Sequence, residues 1–180
     1  MQRIFLIGYM GAGKTTLGSP LAKELGMSFI DLDIFIEKRY HKTINELFHE
    51  YGEQEFRLIE QKTLKEVAEF EDIVISTGGG TPCHFDNMDV MNKAGTTIYL
   101  EVSTSVLFER LKLGRRKRPI LKDKTDNELL SFIEESLSKR VNIYRKCHHQ
   151  FLVDDLNSVE SVTRTAKLIA RTINERVKRY

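Results

Sequence analysis

The chain has 180 residues, a length that suits one domain with a single buried core. Hydrophobic residues make up 41% and charged residues 30%, which excludes a disordered or fibrous protein. The 28 basic and 26 acidic residues nearly cancel to a net charge of +2, so bulk charge gives no reason to expect a nucleic-acid or membrane partner.

The first predicted element is a strand at residues 4–7, where apolar residues follow one another without polar alternation. Unbroken apolar runs of this kind are typical of parallel strands that helices cover on both faces. Similar runs predict further strands, in chain order, at residues 28–31, 73–76, 97–102 and 151–153.

Helical patterns separate these strands. The helix after the first strand is predicted at residues 14–25 and ends at Gly26, a residue type that favours the left-handed conformation at a helix C-terminus. The remaining predicted helices begin at Thr43, cover 53–70, 104–112 and 158–177, and include an apolar stripe of Leu130, Ile133, Leu137, Val141 and Tyr144. Strands that alternate with helices predict an α/β fold with a parallel sheet between helices.

One segment between the predicted helices has no periodic pattern. Residues 113–124, LGRRKRPILKDK, are basic, lack helix signals and contain Pro119. We expect a surface loop here.

Residues 8–15, GYMGAGKT, match the phosphate-binding pattern G-x-x-x-x-G-K-[ST] in full, after an apolar strand and at the start of a helix. Glycines allow the backbone to turn so that successive N–H groups bind phosphate oxygens, and the helix N-terminus adds a favourable dipole. Lys14 can reach the β and γ phosphates of a nucleotide, and the Thr15 hydroxyl can ligate Mg²⁺. The alternative, a glycine-rich turn without a ligand, explains the full pattern poorly.

Nucleotide binding alone does not name a reaction. The guanine-reading motif N-K-x-D of switch GTPases does not occur in the sequence, and the chain is too short for a large motor ATPase. A small kinase is therefore the preferred interpretation, and it requires an acceptor site near the γ-phosphate.

Asp31 and Asp33 close the second predicted strand, and the carboxyl ends of strands face the ligand crevice of an open α/β sheet. In extended geometry the two side chains point in the same direction. One can then hold Mg²⁺ through water, and the other can accept a hydrogen bond from an attacking hydroxyl. A capping pair at a helix start explains the pattern equally well, because Asp33 also suits a helix N-terminus.

Three further features each have a functional and a structural interpretation. The triple glycine at 78–80 lets a ligand approach the backbone closely, although a flexible loop is the alternative. Arg57 shares a helix face with Glu53 and Glu60, and spacing alone favours a surface ion-pair ladder. Arg140 adjoins the apolar stripe, so it is either a binding residue or a surface arginine whose stem lies along the core.

Taken together, these motifs resemble the shikimate kinase family, and the match extends nearly from end to end. The segments that carry it are, in order, GYMGAGKTT at 8–16, DLD at 31–33, GEQEFRLIE at 52–60, STGGGT at 76–81, RP at 118–119 and KR at 139–140. This ordered set is far more specific than the phosphate-binding loop alone.

The resemblance implies a three-layer P-loop kinase fold similar to that of nucleoside-monophosphate kinases, with a five-stranded parallel sheet in the order 2-3-1-4-5 flanked by helices. It implies one shikimate kinase domain over residues 1–180, with a substrate-binding segment at about 32–60 and a lid at about 112–124. The implied reaction is ATP-dependent phosphorylation of the 3-hydroxyl of shikimate, giving shikimate 3-phosphate and ADP in chorismate and aromatic amino-acid biosynthesis. Mg²⁺ is the implied cofactor, ATP the co-substrate, and a monomer the implied state.

The resemblance also implies roles for individual residues. The catalytic residues would be Lys14, Asp33 and Arg118, of which Arg118 would be the lid arginine that closes on the phosphates. Shikimate would be held by Asp33, Arg57, Gly79 and Arg140. ATP would be bound by Gly11, Ala12, Gly13, Lys14, Thr15, Thr16, Arg118 and Asn157. Thr15 would ligate Mg²⁺, and Asp31 would hold it through water.

Two other functions stay open. A gluconate kinase-like enzyme would share the phosphate-binding loop, although the D-x-D, EFR and triple-glycine set argues against it. A regulatory module that binds a nucleotide without catalysis would be expected to lack Lys14, Asp33 or the lid arginine, and all three are present.

The two cysteines, Cys83 and Cys147, are too few for a disulfide framework and fit free thiols in a reducing compartment. The N-terminus has no signal-peptide pattern, and no apolar stretch approaches the length of a membrane span. We therefore expect a cytoplasmic protein.

Overall fold

The computed structural model describes residues 2–115 and 119–177. Within these ranges the sheet contains β1 (Arg3–Ile7), β2 (Ser28–Asp31), β3 (Ile73–Ser76), β4 (Thr96–Glu101) and β5 (His149–Leu152). The strands are ordered β2-β3-β1-β4-β5, and every neighbouring pair is parallel. The predicted α/β fold and strand order are confirmed.

Helices connect the strands and flank the sheet. They are α1 (Lys14–Leu25), α2 (Leu32–Tyr40), α3 (Ile44–Val67), α4 (Asn87–Ala94), α5 (Thr104–Leu113), α6 (Asp126–Tyr144) and α7 (Val159–Val177), with short 3₁₀ turns at Thr81–Cys83 and Pro119–Leu121. Among the described residues, no helix combines the length and the apolar character that crossing a membrane requires.

The central strand β1 explains why the sheet lies inside the molecule. Its residues 4–7 are fully buried, because β1 has a neighbouring strand on each side and helices pack on the sheet. Helix α1 contacts β1, β2 and β3, and α7 packs against α1. The carboxyl end of β1 therefore leads directly into the loop before α1.

Two helices were missed by the sequence patterns. Helix α2 begins immediately after β2, because the Asp31 side chain accepts hydrogen bonds from the backbone N–H groups of Asp33 and Ile34. Helix α4 follows the 3₁₀ turn after β3 and buries Met88 and Met91. Both are short, so few residues carry their helical period.

Helix α3 joins two helices that the sequence predicts separately. The predicted start at Thr43 is confirmed, since Thr43 and Glu46 form a capping box. The bend between the two halves lies at Gly52, with φ 77° and ψ 171°, a conformation that favours glycine. The helix ends at Val67 rather than at the predicted residue 70.

Other predicted boundaries differ in detail. Strand β5 begins at His149, two positions before the prediction. In α6 the buried side chains include Leu129 and Ile133, whereas Leu130 of the predicted stripe is 37% exposed. The predicted loop at 113–124 contains the 3₁₀ turn, in which Leu121 is buried.

Candidate active site

The phosphate-binding loop lines a cavity of about 390 Å³ at the carboxyl end of β1. Gly11 has φ 80° and Gly13 has φ 90°, and both values favour glycine. The cavity is lined by Gly11, Gly13, Lys14, Thr15, Thr16, Arg110, Leu156 and Asn157. Six of these eight are predicted ATP-binding residues, and the structure brings them together.

Lys14 lies against the floor of this loop. Its ammonium group donates hydrogen bonds to the carbonyl oxygens of Gly8 at 2.9 Å and Tyr9 at 3.0 Å, and the residue is only 8% exposed. A buried cation held by the loop's own backbone is preorganised to attract phosphate charge.

Thr15, which lines this cavity, contacts Asp31. The Thr15 hydroxyl donates a 2.6 Å hydrogen bond to Asp31 Oδ2, while Asp31 Oδ1 caps α2. The extended geometry predicted for Asp31 and Asp33 is wrong, because β2 ends at Asp31 and Asp33 lies in the first turn of α2. The capping interpretation holds for Asp31 rather than for Asp33.

Ala12 is the one predicted ATP-binding residue in the described ranges that does not line this cavity. Its methyl group is buried, and its N–H donates to the carbonyl of Tyr9 within the loop. Arg118 lies outside the described residues.

Sequence reasoning missed two residues of the cavity lined by the phosphate-binding loop, which we refer to below as the nucleotide cavity. Arg110, in the last turn of α5, donates to the carbonyl oxygens of Asp154 at 2.7 Å and Gly11 at 3.3 Å. It therefore joins the phosphate-binding loop to the segment after β5. Leu156 packs so closely that a Cβ on Gly13 would lie 2.5 Å from its methyl carbon. Neither residue belongs to a motif in the sequence.

A second cavity of about 570 Å³ lies beside the first. It brings together the four predicted acceptor residues Asp33, Arg57, Gly79 and Arg140. Its other lining residues are Met10, Ile44, Asn45, Phe48, Glu53, Phe56, Glu60, Gly78, Gly80 and Ile120. We refer to it below as the acceptor cavity.

Arg57 is held inside the acceptor cavity from several sides. Its guanidinium group lies 2.9 Å from the carboxylate of Glu60 and 3.5 Å from that of Glu53. The rings of Phe48 and Phe56 stack on each other, and the guanidinium carbon lies 5.3 and 5.4 Å from their centroids. The surface-ladder interpretation is wrong, because 14% of the Arg57 side chain and 1% of the Glu60 side chain are exposed.

Glu60 was not predicted as a site residue. One carboxylate oxygen pairs with Arg57, and the other accepts a 2.6 Å hydrogen bond from the Thr81 hydroxyl. The position of Glu60 three residues after Arg57 was visible in the sequence. The burial of Glu60, however, depends on β3 and on the triple glycine at 78–80 that follows β3, called the glycine loop below.

Asp33 is surrounded by negative charge. Burial raises the pKa of Asp33 to about 6, and the carboxylates of Glu60 and Asp31 add to this effect, whereas Lys14 opposes it. A carboxyl group with this pKa is ionised at neutral pH and remains able to accept a proton.

The triple glycine has no positive φ angle. Glycine is needed there because side chains of neighbouring elements lie close to its backbone. A Cβ on Gly78 would lie 2.9 Å from Asp33 Oδ1 and 2.9 Å from Thr81 Oγ1. A Cβ on Gly80 would lie 3.0 Å from a guanidinium nitrogen of Arg57. These glycines therefore make room for the side chains of the acceptor cavity.

Arg140 reaches the acceptor cavity from α6. Its guanidinium carbon lies 5.6 Å from the centroid of the buried Tyr9 ring in the phosphate-binding loop. The residue is half-buried and lines the acceptor cavity, so its binding role stays a prediction. Two arginines thus line one cavity next to a phosphate-binding loop, an arrangement suited to an anionic acceptor.

Known proteins resemble this chain over most of its length. A family model described as shikimate kinase matches residues 10–172. The shikimate kinase of Phocaeicola vulgatus is 53% identical over 97% of this chain and 100% of the relative. The crystal structure of shikimate kinase from Bacteroides thetaiotaomicron has a TM-score of 0.93 at 48% identity, over 96% of this chain and 98% of that chain.

A further structure is that of a shikimate kinase from Acinetobacter baumannii in complex with shikimate. It has a TM-score of 0.84 at 30% identity, over 98% of this chain and 94% of that chain. With a family model that matches most of the chain and a relative of 53% identity over nearly all of it, this protein belongs to the shikimate kinase family.

Proposed function

We propose that this protein transfers the γ-phosphoryl group of ATP to the 3-hydroxyl of shikimate, which binds in the acceptor cavity. Family membership makes the chain an ATP-dependent kinase that acts on shikimate. The observation that carries the residue assignments is the convergence of Asp33, Arg57, Gly79 and Arg140 on one cavity beside Lys14. The comparisons do not favour the gluconate kinase-like and regulatory alternatives.

The charges of the acceptor cavity match those of shikimate. Its carboxylate would pair with the guanidinium groups of Arg57 and Arg140 through charge-assisted hydrogen bonds. The buried Glu60 holds Arg57 in place, and the Phe48 and Phe56 rings offer an apolar wall for the carbon ring of the acceptor.

Asp33 would orient the attacking hydroxyl and take its proton. Phosphoryl transfer passes through a loose transition state, so the proton is needed only late in the reaction. A pKa of about 6 suits this role, because burial and neighbouring carboxylates make Asp33 a better base than an exposed aspartate.

Mg²⁺ would be ligated by Thr15 and held by Asp31 through water. The two side-chain oxygens lie 2.6 Å apart, and Mg²⁺ prefers such oxygen donors. Within residues 2–115 and 119–177, no group of three or more His, Cys, Asp or Glu residues is arranged to hold a metal. Phosphate oxygens and water would therefore supply the other ligands, as is usual for Mg²⁺. When bound, the ion would neutralise charge on the β and γ phosphates.

Lys14 would also stabilise charge on the transferring group, from the loop side. Arg118 would act from the lid at about 112–124, and this assignment stays a prediction. Four further expectations also stay predictions: the single domain over residues 1–180, the monomeric state, the cytoplasmic location and the absence of a nucleic-acid partner. None of them is needed for the assignment of the acceptor.

The test is Mg²⁺-dependent ADP release from ATP, measured without acceptor, with shikimate and with gluconate. We expect a large stimulation by shikimate alone. Stimulation by gluconate alone would show that the arginine and glycine set has been misassigned. Tight ATP binding without stimulation by either acceptor would favour the regulatory module.

A further inference from the structure

Tyr144, the last residue of α6, makes a polar contact that core packing does not require. Its side chain is fully buried, and its hydroxyl donates a 2.6 Å hydrogen bond to the carbonyl oxygen of Gly79. The apolar stripe of α6 accounts for the ring but not for the hydroxyl, since a phenylalanine would fill the same space. Burial raises the pKa of Tyr144, so the hydroxyl keeps its proton and remains a donor.

Gly79 is confined on another side by the phosphate-binding loop. A Cβ on Gly79 would lie 3.1 Å from the backbone nitrogen of Met10 and 3.5 Å from the carbonyl oxygen of Gly8. The glycine loop is therefore packed against the phosphate-binding loop and tied to α6 by the Tyr144 hydroxyl. Both contacts restrict a segment that glycine would otherwise leave conformationally free.

The hydrogen bond from Tyr144 also fixes the orientation of a peptide plane. In a trans peptide the carbonyl of Gly79 and the N–H of Gly80 point in opposite directions. Holding the carbonyl toward Tyr144 therefore directs the Gly80 N–H away from it. Gly79 and Gly80 both line the acceptor cavity, so the fixed plane forms part of its wall.

The same helix contributes a predicted acceptor ligand. Arg140 lies one turn before Tyr144 on α6, and residues four apart share a helix face. Helix α6 thus carries both Arg140 and Tyr144, whose hydroxyl bonds to the Gly79 carbonyl and so ties the glycine loop to the helix. Any displacement of the loop from α6 would change the spacing between the Gly79 backbone and the Arg140 guanidinium group.

We infer that Tyr144 is a positioning residue for the acceptor: its buried hydroxyl holds the Gly79–Gly80 peptide in the orientation that binds shikimate. This inference rests on the proposed acceptor cavity. Tyr144 does not touch the acceptor itself in this assignment. It acts through the glycine loop, and its hydroxyl also interacts with the side chain of Arg140.

The test compares Tyr144→Phe with Tyr99→Phe. Tyr99 is a matched control, since it is 2% exposed and its ring centroid lies 5.1 Å from that of Tyr144. Its hydroxyl is not the one that bonds to Gly79. We expect Tyr144→Phe to raise the KM for shikimate about tenfold, the usual effect of losing one neutral hydrogen bond, with little change in the KM for ATP. Tyr99→Phe should change neither constant.

Hydrogen–deuterium exchange of residues 76–83 in the unliganded protein provides a second measurement. We expect faster exchange in Tyr144→Phe than in the wild type or in Tyr99→Phe, with similar thermal midpoints for both variants. Equal increases in the KM values for shikimate and ATP, or unchanged KM values, would overturn the inference and leave the proposed function standing. A wild type without shikimate-dependent ADP release would overturn the proposed function. Unchanged exchange in Tyr144→Phe would overturn the positioning role of the Tyr144 hydrogen bond, whichever molecule is the acceptor.

Discussion

The guanidinium group of Arg57 donates to the Glu60 carboxylate across 2.9 Å, and Glu60 is almost fully buried. This pair lies within the acceptor cavity, not on the surface of α3. A buried pair costs more to break than an exposed one, because the remaining charge loses its partner in a poorly solvated site. The same Glu60 also contributes to the high pKa of Asp33, so it connects acceptor binding with the proposed base.

Arg57→Ala should weaken shikimate binding far more than ATP binding. Loss of charge-assisted hydrogen bonds to the acceptor carboxylate is expected to raise the KM for shikimate about 10- to 100-fold. Arg39→Ala is a matched control, since Arg39 also pairs with a glutamate and contacts a phenylalanine ring but is exposed. Equal losses for both substrates in Arg57→Ala would show that Arg57 is only a structural ion-pair partner.

Glu60→Gln should shift the acid limb of the pH profile of kcat/KM for shikimate. Removing a nearby negative charge lowers the pKa of Asp33 from about 6 toward its ordinary value. The limb should then move down by about 0.5–1 pH unit, because kcat/KM reports groups of the free enzyme. Glu53→Gln is the control, since Glu53 also pairs with Arg57 but is 67% exposed. An acid limb that moves equally in both variants would contradict the role of Glu60.

Asp33→Asn should retain ATP binding and lose most turnover. An amide cannot take the proton of the attacking hydroxyl, so kcat is expected to fall by about 10²-fold or more. ATP binding is measured by calorimetry and turnover by ADP release. A variant with near-normal turnover would remove Asp33 from the mechanism.

The same variant should be more stable than the wild type at alkaline pH. The folded pKa of Asp33, about 6, lies above the ordinary value of 3.8, so ionisation of Asp33 opposes folding. The contribution of Asp33 to stability is therefore most favourable below about pH 4, where the group is protonated in both states; it decreases between about pH 4 and 6 and is constant above that range. Asp33→Asn should gain about 1–3 kcal/mol at pH 8 and little near pH 4, as measured by denaturant unfolding. A gain that is constant between these pH values would argue against the raised pKa.

Gly78→Ala should disturb the acceptor cavity without affecting the nucleotide cavity. Its Cβ would lie 2.9 Å from both Asp33 Oδ1 and Thr81 Oγ1, so one of these groups must move. We expect the kcat/KM for shikimate to fall by about tenfold or more, with ATP binding unchanged. Gly18→Ala, whose Cβ would lie 2.1 Å from the Phe29 ring, is the control for general destabilisation. It should lower the thermal midpoint and leave the ratio of the two KM values unchanged.

Local patterns in the sequence determined much of this protein. Apolar residues marked all five strands of the sheet within the described residues. The signal was clearest for β1 and β3, because a strand covered on both faces leaves no polar alternation, whereas the edge strands β2 and β5 are partly exposed. The phosphate-binding loop was equally clear, since Gly11 and Gly13 adopt backbone conformations that few other residues tolerate. The segments that resemble the family supplied Asp33, Arg57, Gly79 and Arg140 as acceptor residues.

Tertiary structure decided how those residues act on one another. Three contacts illustrate this. Glu60 is buried beside Thr81, which lies 21 positions away in the chain. Arg110 contacts Gly11 across 99 positions, and Tyr144 bonds to Gly79 across 65 positions. Spacing along the chain carries no signal for such contacts, because they depend on how distant elements pack at one end of the sheet. The raised pKa of Asp33 belongs to the same class, since desolvation and neighbouring charge exist only once β2, α3 and the glycine loop have come together.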